Sequence, residues 1–166
     1  MPKTLLTVDE ILSILPGTPA RLADLTDGLT EGQVLAEPAP GEWPVVVVLA
    51  HLRACQDVLG GDILRIVDED HPAWRRMSPR EWHRKSGYDG WPFRSSMEAF
   101  DAARRDFLIV VEPLAPEAWT RTAMVTVGPG RTEEQSARFF GDWLAAHEVR
   151  HLGELATAID LVRARG

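Results

Sequence analysis

An all-α fold, a four-helix bundle, is what this sequence predicts, on three observations. Four substantial segments carry apolar residues at the 3–4 residue spacing of an inward helical stripe. Proline and glycine gather between those segments, at Pro16–Pro19, Glu37–Gly41 and Gly128–Gly130, where they mark turns. No run alternates strongly enough to give a convincing sheet. At 166 residues, 45% of them hydrophobic, the chain is long enough to close one full core, so a single domain over 1–166 is expected.

The elements follow in order. Thr7-Val-Asp-Glu10 reads as a capping box opening a short helix to about Leu15, ended by Pro16-Gly17. Thr18 then caps a second run, with Pro19 at its first position and Leu22 and Leu25 on its stripe, to about Leu29. One helical turn is expected near Thr30–Leu35. The next long helix starts at Trp43-Pro44 and carries Val48, His51, Leu52, Cys55, Leu59, Ile63 and Ile66 to about Asp68. Its valine cluster favours strand, but length and spacing outweigh that, and Gly60-Gly61 marks a weak point where a bend is expected. Asp70 to Arg94 reads as irregular, and its aromatics, Trp74, Trp82, Tyr88 and Trp91, suggest that it folds back over something. Ser95-x-x-Glu98 reads as the capping box of the third long helix, with Met97, Phe100, Arg104, Phe107, Leu108 and Val111 inward and Pro113 closing it. A short extended segment or small hairpin is expected near 119–127. Thr132-x-x-Gln135 then reads as the cap of the last helix, which runs nearly to the C-terminus.

Charge narrows the partners. A net charge of −7 and a pI near 5.2 offer no electrostatic footprint for nucleic acid or an anionic membrane. The N-terminus lacks the apolar core of a signal peptide, and the longest apolar run, Val45 to Ala50, is too short to span a bilayer. The lone Cys55 cannot pair within the chain, which suits a reducing cytoplasm, and a small molecule is the expected partner.

Chemistry concentrates in Asp142–Glu154. His147 and His151 are four apart, so on a helix they share a face with Cβ atoms roughly 5–6 Å apart. They fall on the stripe of Phe140, Leu144, Leu155, Ala158 and Val162, at core positions where a polar group needs a partner. His51 lies on the inward stripe of the second long helix, and if the two helices face each other it approaches the pair. Three neutral imidazoles plus water make an open divalent-metal site; the competing reading is three core histidines satisfied by hydrogen bonds.

The neighbouring residues carry their own alternatives. Glu154 can accept a proton from a ligand's second nitrogen, act as a base, or stand as a solvated helix charge. Arg150 either points at the site or pairs with Glu154. Cys55 can be a thiolate ligand or redox thiol, though a small buried hydrophobe is the favoured reading. His147-Glu-Val-Arg-His151 matches the HExxH string of zinc proteases, in which the glutamate activates water. Only fifteen residues follow His151, however, and Glu148 is expected to face outward. His71 and His83 read as surface residues, with the mouth of a cleft as a lesser place for His83.

With these residues in view, the chain resembles the DinB/YfiT-like superfamily of metal-binding helical bundles over most of its length. The resemblance rests on Thr18-Pro19 before a leucine-spaced helix and on Gly41-Glu-Trp43 before Val48-Leu-Ala-His51-Leu52. It rests further on Trp82 to Tyr88, on Arg104-Arg105, on Trp119, and on His147-Glu-Val-Arg-His151-Leu-Gly-Glu154, which is similar to a last-helix motif written HDxxHxxQ. It implies metal ligands at His51, His147 and His151, a divalent ion such as zinc or nickel, and a homodimer. It also implies thiol-dependent S-transfer with a low-molecular-weight thiol cosubstrate, with metal-dependent hydrolysis or a non-catalytic binding role as alternatives. Glu148 stands where the family commonly has aspartate, and Glu154 where it often has glutamine, the latter adding negative charge near the expected ion.

Overall fold

The computed structural model describes residues 3–166 and forms a four-helix bundle with a small sheet at one end. The first bundle element is nearly continuous. Helix α1 (Val8–Ile14), capped by the Thr7/Glu10 box, passes through a 3-10 turn at Leu15–Gly17 into α2 (Thr18–Thr26), with the backbone staying right-handed helical throughout. Pro16-Gly17 therefore tightens the helix instead of ending it, and Thr18 lies inside it, buried, not as its cap. A single turn, α3 (Glu31–Leu35), opens on its own Thr30/Gln33 capping box.

The second bundle element is α4 (Val45–Cys55), a π turn at Gln56–Gly60, and α5 (Gly61–Asp68). The expected bend at the glycines is this π turn, which inserts one residue per turn and redirects the side chains that follow. A Cβ on Gly60 would collide with the folded-back Gln56 side chain, so the glycine makes room for Gln56. The third element is α7 (Phe93–Val111) and the fourth is α8 (Ala137–Arg163), which packs against α1, α2, α4 and α5.

Three expectations change here. The stretch after α5 holds regular structure: β1 (Ala73–Arg75) and α6 (Pro79–Ser86), capped by Ser78, with Pro79 in its first turn and closed by Gly87 at φ 71°. α7 starts at Phe93 behind Pro92, so Ser95 is already helical and buried Ser96 takes a hydrogen bond from Arg53. The sheet exists: β2 (Thr122–Gly128) pairs parallel with β1 and antiparallel with β3 (Arg131–Ser136). Thr132 and Gln135 thus belong to a hairpin strand, and Ser136 caps α8 through the Phe139 N–H. No helix among the described residues is long and apolar enough to cross a membrane.

The core is divided. One apolar cluster holds Ile11, Leu15, Leu59, Ile63, Phe107, Val111, Trp119 and Leu144 next to the sheet. The other holds Leu22, Val48, Leu52, Phe100, Leu155 and Ile159 at the opposite end. Each bundle element passes from one cluster to the other, and each places a polar residue at the crossing: Thr18, Gln56, Arg104 and Glu148, all buried.

Candidate metal centre

Helices α4 and α8 bring three predicted residues together at the level of that crossing. His51 Nε2 lies 2.9 Å from His147 Nε2, and His151 Nε2 lies 3.0 Å from the same atom. Candidate ligand atoms of all three are within 4.8 Å of one another. Two nitrogens bound ~2.0–2.1 Å from one ion at ~90–110° stand roughly 2.9–3.4 Å apart, so the two short separations are compatible with ligands sharing an ion as well as with N–H···N hydrogen bonds.

Proton placement differs among the three rings. Arg150 Nη2 is 3.0 Å from His147 Nδ1; an arginine only donates, so that nitrogen accepts and the proton of neutral His147 sits on Nε2. His151 Nδ1 faces the Glu154 carboxylate at 3.3 Å, which puts its proton there and its lone pair at the centre. One N–H then faces two acceptor nitrogens and cannot serve both. His51 Nδ1 is buried with no hydrogen-bond partner at all. Ordinary hydrogen bonding does not satisfy this cluster; with the proton of His147 moved to Nδ1 and Arg150 turned to Glu154, three neutral imidazoles would suit a divalent cation.

The electrostatics keep those imidazoles neutral. Burial, then the charges of His151, His147, His83 and Arg80, push His51 down to about 3. Burial, His151, Arg150 and Arg80 push His147 down to about 4. His151 is also lowered by burial, against which Glu154 pulls upward. Glu154 thus sits beside a ligand candidate as an orienting acceptor, while remaining exposed and within reach of Arg150 at 3.8 Å.

Two side chains sit differently from the expectation. Glu148 does not face outward: it is fully buried, ion-paired to Arg104 of α7 and hydrogen-bonded by Thr18 Oγ1 at 2.6 Å. Arg104 also donates to Gln56 Oε1 at 2.6 Å and to the Leu15 carbonyl at 2.7 Å. A residue so engaged points away from the three Nε2 atoms, so the HExxH string here is not the water-activating arrangement of a zinc protease. His83 is not a surface residue either. It is 7% exposed, its ring centroid 5.4 Å from that of His51, and Nε2 contacts Asp89 at 2.7 Å. His71 is exposed.

The aromatic segment does fold back, and Asp57 anchors it. Trp82 Nε1 and Tyr88 Oη both donate to Asp57, at 2.8 and 2.6 Å, and the Arg53 guanidinium stacks on Tyr88 and Trp91. This docks α6 over α4 and sets His83 and Arg80 above the histidines. Cys55 Sγ is 3.6 Å from His51 Nε2, but burial, reinforced by Glu148, pushes the thiol up to about 12; it stays protonated and behaves as a buried hydrophobe.

Beside His151 opens a cavity of about 540 Å³, lined by Trp43, Val48, Leu155, Ala158 and Leu161 with Glu42, Arg80 and Glu154. Its size is that of a small-molecule site, ~300–1,000 Å³.

A family model described as the DinB superfamily matches residues 15–155, which include all three histidines. Among solved structures the chain is similar to YfiT from Bacillus subtilis, described as a probable metal-dependent hydrolase with an unusual four-helix bundle topology. The two share 19% sequence identity at a TM-score of 0.71, over 93% of this chain and 90% of that one. Likeness at that identity speaks for the shared fold. No curated protein matches the chain.

Proposed function

The chain belongs to the DinB superfamily, and we propose that it is a metal-dependent enzyme whose His51, His147 and His151 hold one divalent ion. The observation carrying this reading is the convergence of three neutral imidazoles, their candidate ligand atoms within 4.8 Å of one another, next to an open cavity. A divalent ion there supplies Lewis acidity, making a water or thiol acidic enough to act as a nucleophile near neutral pH.

The residues of the chain do the rest. Glu154 fixes the ring of His151, and the apolar wall of Val48, Leu155 and Leu161 excludes water from a bound substrate. The protein's own thiol is buried and protonated, so the nucleophile arrives as a small molecule. We read it as a low-molecular-weight thiol transferred to an electrophilic substrate, with zinc or nickel as the ion. A second reading, hydrolysis by water, is favoured by the description of YfiT as a probable metal-dependent hydrolase.

Both are tested together. Untagged protein is analysed for metal, then assayed with a small thiol plus a model electrophile and, separately, with an activated ester. Metal-dependent turnover that His51→Ala abolishes supports the proposal, and the substrate that turns over selects the reaction. Bound metal without either rate would favour a non-catalytic binding protein.

A further inference from the structure

Arg80 is the cation of the cavity lining, and the structure gives it no task in holding the fold. It is exposed on α6, and among the described residues no carboxylate lies within ion-pair distance of it. Its guanidinium carbon stands 5.8 Å from the centroid of Trp43, whose ring in turn meets His51 edge-on at 5.2 Å. Its charge reaches all three histidines and opposes their protonation. α6 is held in place by the Asp57 contacts, so Arg80 is presented to the cavity by a braced element.

The remaining lining is of two kinds. Val48, Leu155, Ala158 and Leu161 form an apolar wall, and Glu42 and Glu154 are acidic. An anionic group finds one attractive side chain there and is repelled by the other charged positions. A guanidinium fork matches a planar carboxylate best, because two parallel N–H donors meet its two oxygens.

We propose that Arg80 is the specificity-determining residue of this cavity and that the substrate is a small molecule with a carboxylate held by Arg80 and an apolar body against Val48, Leu155 and Leu161. This deepens the metal-enzyme reading and rests on it for the cavity being the substrate site.

The test uses hexanoate and 1-hexanol, equal in chain length and different in charge. Each is titrated into full-length wild type, Arg80→Ala and Arg80→Lys, followed by calorimetry and ligand-observed NMR. Metal content and circular dichroism are measured on the same samples. The expected result is hexanoate affinity reduced roughly tenfold or more in Arg80→Ala and partly recovered in Arg80→Lys, with hexanol affinity unchanged across the three. Equal hexanoate affinity in wild type and Arg80→Ala overturns the proposal, as does an equal loss for both probes. Failure of the metal reading is separable: no metal in any sample, with hexanoate still Arg80-dependent, removes the metal enzyme and leaves the carboxylate site standing.

Discussion

His147 and Glu148 are adjacent on one helix and face opposite polar clusters, and the contrast between the two clusters explains the molecule. The Glu148 side is a closed account of donors and acceptors. Thr18, Gln56, Arg104 and Glu148, one from each bundle element, bond to one another and to the Leu15 carbonyl. The His147 side is open: three nitrogens converge with one proton between them, and His51 Nδ1 has no partner. A satisfied buried network specifies how elements meet. An unsatisfied one costs stability unless something else completes it. The first cluster reads as architecture, and the second as a place for a ligand.

The largest effect is expected at the closed cluster. Glu148→Ala leaves Arg104 charged and unpaired in the core, so a loss of about 3–5 kcal/mol in urea unfolding is expected. Glu148→Leu combined with Arg104→Met should be less damaging than Glu148→Ala alone, because no buried charge is left over. At the open cluster, Glu154→Gln should weaken metal binding by roughly 10–100-fold in a competition titration, with little change in metal-free stability, since it alters an outer partner of His151.

Gly60→Ala comes next. Its methyl displaces Gln56 from Arg104, and a loss of roughly 1–2 kcal/mol is expected without any change in metal affinity. Smaller still is His51→Leu in metal-free protein. Removing a ring whose Nδ1 is unsatisfied should shift stability by about 1 kcal/mol or less, against the several expected at Glu148.

Stability also depends on pH. His51 and His147 titrate at about 3 and about 4 in the folded chain, below the ordinary histidine value of 6.5. The unfolded chain therefore binds more protons in that window, and their contribution to stability, complete above 6.5, is lost as pH falls toward 4 and then 3. Asp62 acts with the opposite sign: burial, opposed by Arg76 and Arg65, pushes it up to about 7 from 3.8, so its contribution is lost as pH rises through that range. Comparing the acid limbs of wild type and His51→Leu isolates the histidine part, and the variant should show the shallower slope.

The sequence made some of this legible and not the rest, for physical reasons. Four stripes announce a bundle, and the family resemblance drawn from His51 and the 147–154 string is matched by the family model. The i,i+4 spacing on an inward stripe was enough to expect His147 and His151 side by side. Glu148 is buried against expectation because α8 packs against four helices, so more than one face of it is covered. A signal was available in Arg104: an arginine within an apolar stripe needs a buried carboxylate. Ser78-Pro79 with Glu81 is likewise a helix start that aromatic clustering obscured. The extended segment expected near 119–127 is β2, while its partner strand reads as a helix cap because Thr132 and Gln135 fit both, and only pairing across Gly128-Pro-Gly130 decides between them. Arg80 carried no local signal; its position follows from how α6 docks on Asp57.

The most direct test is elemental analysis of untagged protein, wild type beside His51→Ala, after exposure to zinc and nickel and removal of loose ions. One divalent ion per wild-type chain, absent from the variant while its circular dichroism stays helical, is the predicted result. A wild-type chain that retains no ion under these conditions, or a variant that retains as much as wild type, would contradict the assignment.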